Sequence, residues 1–159
     1  MAFANNPKLV NTGAGFCEQL SHTHVGGTGS AFTKGELVFL NAGVVTVCAS
    51  NATLFFGQAL VDDGATATEV QCIRILPEQV WKIKLWDASD AAVKAASNFT
   101  VGKAYGLVLV SNIWYADFDD SADAIVYQGP ALAAGETTAN CYWGLFKFIT
   151  TACQSQTGN

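Results

Sequence analysis

Three groups of residues carry side chains able to do chemistry, and each has a plainer reading beside it. His22-Thr23-His24 sets two imidazoles on one side of an extended segment, a spacing that suits two ligands of a metal ion. A third ligand must come from elsewhere and the segment is polar, so solvated or interfacial histidines are the simpler account. Asp117, Asp119, Asp120 and Asp123 form the one carboxylate cluster. It lacks the glycine and the closing bidentate glutamate of a calcium loop, and one short turn makes no glycosidase cleft for Asp117 and Asp120. Short acids favour turns between strands, which explains the cluster without a ligand. Cysteines stand at 17, 48, 72, 141 and 153, with no Cys-x-x-Cys pair. Both histidines lie in the N-terminal segment, so Cys17, Cys141 or Cys153 would gain a base only by a fold-back of the chain. Cys48 and Cys72 fall inside apolar runs and read as small buried hydrophobes. No catalytic residue, metal ligand set or cofactor is assigned, and the expectation is a protein that is not an enzyme.

The elements that must position these residues are strands. KGELVFL, VVTVCAS, TLFFGQAL, TEVQCIRIL, EQVWKIKLW, YGLVLV, NIWYADF and AIVYQG follow one another between Lys34 and Gly129, separated by Gly, Asp, Asn and Ser. This spacing predicts an all-β fold, an antiparallel barrel or sandwich of about eight or nine strands. Asn41-Ala42-Gly43 and Ser111-Asn112 read as hairpin turns, and Gly57 as a bulge or tight bend inside its strand. Residues 80–86 show the cleanest alternation: Trp81, Ile83 and Leu85 face one way, and Val80, Lys82, Lys84 and Trp86 the other. Lys82 and Lys84 then read as a solvated strand face. DASDAAVKAA, residues 87–96, predicts the one short helix, capped by Ser89 or Asp90. Cys141 to Ile149 predicts a final aromatic strand.

Residues 1–33 have no sustained period and are rich in Gly, Asn, Ser and Thr. They read as an extended N-terminal arm that orders against a neighbour, ahead of a β-barrel domain at 34–153 and a polar tail at 154–159. Of the aromatics, Trp81, Trp86, Trp114, Tyr115, Tyr142 and Trp143 belong mostly to the core of such a barrel. One or two left outside would suit the centre of a protein interface or a sugar-binding face.

Composition narrows the partners. Charged residues make up 13% of the chain, against about 25% in an average soluble domain. A surface so poor in charge suggests that part of it is covered, by sister copies or a permanent partner. The net charge of −5 rests on eight basic residues scattered along the sequence, which gives no phosphate-tracking stripe and argues against nucleic acid. No apolar run approaches the ~20 residues of a membrane helix, so no membrane is expected. The odd cysteine count and the absence of a secretory signal suggest synthesis in a reducing compartment.

FTKGELVFLNAG, PEQVWKIKLWDASD and VGKAYGLVLVSNIWYADFDD together resemble the small β-barrel head decoration, or cement, proteins of tailed bacteriophages. The resemblance spans roughly Lys34 to Gly129 and rests on strand order and turn wording. It implies a structural virion protein, made in the host bacterial cytoplasm, that binds the outer capsid surface and bridges neighbouring major capsid subunits. Its partners would be the major capsid protein and sister copies, as a trimer or, alternatively, a dimer. Candidate contact residues for shell or sister copy are Phe3, Leu9, Val10, Phe16, His22, His24, Trp86 and Trp143. The alternative is a tail, fibre or spike module that recognises a glycan through exposed Trp and Tyr.

Overall fold

Short apolar runs broken by Gly, Asn and Asp become strands throughout, and among the described residues no α-helix forms. The computed structural model describes residues 6–11, 21–24, 31, 33–42, 44–60, 62, 70–119 and 122–154. The strands are β1 (Lys8–Asn11), β2 (Ser21–His24), β3 (Leu37–Asn41), β4 (Val44–Val47), β5 (Gly57–Ala59), β6 (Val70–Arg74), β7 (Val80–Asp87), β8 (Ala92–Val93), β9 (Ala104–Val110), β10 (Ile113–Asp117), β11 (Ile125–Pro130) and β12 (Trp143–Phe148). They make a seven-stranded sheet and a five-stranded sheet ordered β2-β6-β5-β3-β4.

The larger sheet closes on itself. β7, β10, β9, β11 and β12 follow one another by hydrogen bonding, and β12 returns to pair with β7. Four of these contacts are antiparallel, but β10 runs parallel to β7, so the barrel is mixed rather than purely antiparallel. β7 is long enough to serve several neighbours. Its first half pairs with β1 and its second half with β10, while β12 lies along the opposite edge. The expected alternation holds: Trp81, Ile83 and Leu85 are buried and Val80, Lys82, Lys84 and Trp86 are half-buried on the outer face.

Inside, Trp81, Trp114, Tyr105, Tyr127, Phe146 and Phe148 fill the barrel. Phe99 lies 4.7 Å from Tyr105 and 5.6 Å from Tyr127, ring centre to ring centre. The two sheets share this core. Leu37 of β3 reaches into it, with Cys48, Phe55 and Ile75 from the segments flanking β4, β5 and β6, while Val38, Leu40, Val45, Phe56, Ala59 and Cys72 form a second, separate cluster.

The strands number twelve among the described residues rather than the expected eight or nine, and two further expected features differ. Residues 87–96 make no helix. The Asp87 carboxylate accepts from the Ser89 and Asp90 amides and from the Ser89 hydroxyl, which curls the chain into a turn. Ala91 then takes a left-handed φ of 52° and Ala92–Val93 returns to pair with β7. Local side-chain bonding and sheet pairing outweigh the alanines' helix preference, and the only helical turn nearby is a 3-10 turn at Ala96–Asn98. Within residues 1–33, two stretches belong to this chain's own sheets: β1 pairs with β7 and β2 with β6. Asn6 is 2% exposed, and its side-chain oxygen accepts from the Trp114 amide at 3.2 Å. Removing residues 1–30 would therefore strip a strand from each sheet. The tail beyond Gln154 lies outside the described residues, but Gln154 itself caps β3, donating to the Leu40 carbonyl and accepting from the Leu40 amide.

Both expected hairpin turns form. Val110 pairs with Ile113 across Ser111 and Asn112, whose φ values are 49° and 63°. That two-residue turn matches the twist of the strands but favours glycine or asparagine at both positions. Serine is the strained member, so Ser111→Gly is expected to stabilise the protein by about 0.5–1 kcal/mol. A urea unfolding midpoint that stays put or falls would contradict this.

Candidate docking face

The outer face of the barrel gathers residues that are far apart in the chain. Register explains how. Lys82 of β7 stands beside Lys8 of β1 on one edge and Leu145 of β12 on the other. One step along the same face, Lys84 stands between Tyr115 of β10 and Trp143 of β12. Trp86 follows, its ring 5.0 Å from that of Tyr115. Lys147 of β12 points to the same side as Trp143 and Leu145, since all three alternate with buried neighbours.

The lysines lie against the rings. The Lys82 ammonium stands 5.2 Å from the Trp143 ring centre and that of Lys8 6.0 Å, while Lys84 stands 5.9 Å from Tyr115. Such contacts hold an ammonium by the ring's negative face and cover the ring with the lysine stem. Among the described residues no carboxylate lies within ion-pair distance of these lysines; both ion pairs belong to Lys94. Four of the eight basic residues thus share one face, a clustering that the scattered positions in the sequence conceal. Lys8 also lines a cleft of about 160 Å³ beside this face, with Asn6, Lys34, Gly35 and Gln58, and the Asp62 carboxylate accepts from the Lys34 amide at 2.8 Å.

The other candidate groups have structural work. Asp87 faces Lys94 at 2.7 Å and receives the turn's donors, so ammonium and hydrogen bonds together hold its carboxyl well below the usual carboxylate range. The carboxylates of Asp87 and Asp90 hold the Lys94 ammonium above its ordinary value. Asp117 is buried and accepts from the Ala88 amide, tying the β7–β8 turn to the end of β10. The Ser89 hydroxyl stands within hydrogen-bond distance of both the Asp87 and the Asp119 carboxylates, 2.7 and 2.5 Å away, and its one proton serves either. This part of the carboxylate cluster pins turns; Asp123 is exposed, and Asp120 lies outside the described residues.

A pH dependence follows. The folded-state pKa of Asp87 lies below its unfolded value of about 3.9, so its contribution is complete above that value and is lost as pH falls through the folded one. Asp87→Asn is expected to lower stability at neutral pH and to flatten the loss seen between about pH 5 and pH 2. Unfolding curves of both proteins across that range check it; parallel profiles would contradict it. Lys94 acts in the opposite sense. Its contribution persists through neutrality and is lost only above about pH 10.

Burial disfavours the thiolate at three of the cysteines. Burial pushes Cys72 and Cys153 up to about 11 and Cys48 higher still. Cys141 is buried and its thiol contacts the Trp143 carbonyl, while Cys17 lies outside the described residues. Among the described residues no three His, Cys, Asp or Glu side chains group as metal ligands, and no helix is long and apolar enough to cross a membrane. His22 pairs with Cys72 and His24 with Val70 in the sheet, and the histidine side chains lie outside what is described.

Of the predicted contact residues, Trp86 and Trp143 sit on the one outer face, half-buried. Leu9 packs against the main core and Val10 beside it is 57% exposed. Phe3 and Phe16 lie outside the described residues. Lys8, Tyr115 and Lys147 were not among the predicted contacts. The alternation in β7 already aligned Lys82, Lys84 and Trp86, but nothing in the sequence marks β1, β10 and β12 as its flanks. Comparison with known proteins finds no match for this chain among family models, curated proteins or solved structures.

Proposed function

We propose that the protein is a structural component of a virion, binding the outside of an assembled phage capsid and bridging neighbouring major capsid subunits. The observation that supports this most is the outer face built by Trp86, Tyr115, Trp143 and the lysines on a closed barrel. Trp86 and Trp143 are half-buried and Tyr115 backs Trp86 from below the surface; half-buried Trp on a rigid scaffold is the kind of residue around which protein interfaces concentrate their energy. The resemblance of residues 34–129 to head decoration proteins supplies the kind of partner. Sister copies around a capsid symmetry axis, as a trimer, are the second partner. A sugar platform needs an open ring face; lysine ammoniums stand over Trp143 and Tyr115, which leaves Trp86 and the 44% exposed Tyr142 as the rings it could use.

Each copy that spans two subunits gains a modest interface, and many copies together resist the internal pressure of a filled shell. Purified protein mixed with shells stripped of it is expected to sediment with them at a saturating ratio. It is also expected to raise the temperature at which the shells rupture. Protein that stays in the supernatant at every concentration would contradict the reading.

A further inference from the structure

We infer that the Lys8–Lys82–Lys84 face docks on an acidic protein surface, through carboxylates that stand between its lysines. This rests on the docking function proposed above and names the chemistry of the partner. Lys8 and Lys82 are directly opposed across β1 and β7, and Lys84 follows on the same side of β7. Like charges placed opposite one another in a sheet destabilise it. The chain has acids in excess, thirteen against eight basic residues. Yet among the described residues none stands within ion-pair distance of this cluster. Aromatic rings flank the three ammoniums at 5.2–6.0 Å. Carboxylates from a partner would relieve the repulsion and complete the pairs.

A protein surface fits better than a nucleic acid. With Lys8, Lys82, Lys84 and Lys147 on this face, the remaining chain holds four basic residues against thirteen acids and repels a long polyanion. Two of the three rings on this face that a single strand would stack on, Trp143 and Tyr115, already have lysine over them. A local acidic patch on a folded partner meets the lysines without meeting the rest of that field.

The test uses the full chain and the double variant Lys82→Glu/Lys84→Glu, with three probes: stripped shells, a decaglutamate peptide and a ten-residue oligothymidylate. Binding of the two small probes is read from tryptophan emission at low salt. The variant faces Lys8 with a carboxylate, so it is expected to melt at or above the wild-type temperature. If it does not fold, Lys82→Gln/Lys84→Gln takes its place. Wild type is expected to bind shells and decaglutamate, with shell affinity falling at least tenfold between 50 and about 500 mM salt. The variant is expected to lose at least tenfold on both. Equal shell binding by variant and wild type would overturn the inference and leave the docking function standing. Wild type that ignores shells but binds decaglutamate through these lysines would sink the capsid reading and keep the acidic partner. Oligothymidylate bound more tightly than decaglutamate, or neither probe bound, would overturn the inference.

Discussion

Phe55→Ala is expected to lower stability by about 3–5 kcal/mol, the cost of deleting a fully buried phenylalanine ring. Phe55 is 0% exposed and works as a wedge between the sheets. It stands 6.4 Å from Trp114 and 5.3 Å from Phe148, both edge-on, so it closes the barrel core from the side of the smaller sheet. Its backbone is held as well, by the Ala152 carbonyl and the Gln154 amide. Those bonds survive the substitution, so the loss isolates the ring. For a domain of this size the shift in melting temperature is on the order of 10 °C. A shift of only a degree or two would mean that the two sheets are not joined through this core.

Gly57→Ala has a different cause and an effect of similar scale. A methyl group at Gly57 would meet the Ile73 carbonyl oxygen at 2.6 Å and the Cys72 side chain at 3.2 Å. A backbone oxygen cannot swing aside as a flexible side chain does. Gly57 pairs with Arg74 on one side and Val38 on the other, so it sits in the middle of the smaller sheet. Either β5 parts from β6, or the sheet bends and its cluster around Phe56 and Cys72 loosens. The expected cost is about 3 kcal/mol, at the upper end for overpacking because the obstacle is main chain. Urea unfolding checks it. A midpoint like that of the wild type would show that β5 and β6 do not approach this closely.

The parts of the fold legible in the sequence are those set by local rules. Alternation from Val80 to Trp86 needs only the pleat of one strand, and the structure keeps it. The hairpins at Ala42 and at Ser111-Asn112 need only turn chemistry, and both form. Gly57 was legible as a special position, although its cause is close approach to β6 rather than a bulge. Residues 87–96 misled because alanine preference is a weak force beside the bonds that Asp87 makes to its own turn. β1 and β2 had no signal of their own. KLVN and SHTH are four-residue segments whose strand character comes from the partners they meet, β7 and β6. The parallel pairing of β10 with β7 is equally non-local.

The candidate face shows the same division. Lys82, Lys84 and Trp86 were aligned by period alone, as a strand face. What changes their meaning is Lys8 from one end of the chain and Trp143 and Lys147 from the other. No sequence pattern brings those three strands together. The clustering of half the basic residues is a property of the closed barrel, which exists only once β12 returns to β7.

The central claim is a place on a capsid lattice, and counting tests it most directly. Purified particles from the source of this chain, run on a quantitative gel against the major capsid band, give the number of copies per shell. The account predicts one copy per capsid subunit or a simple fraction of it. A handful of copies per particle would move the protein to the tail or a spike, and none would contradict the virion reading outright.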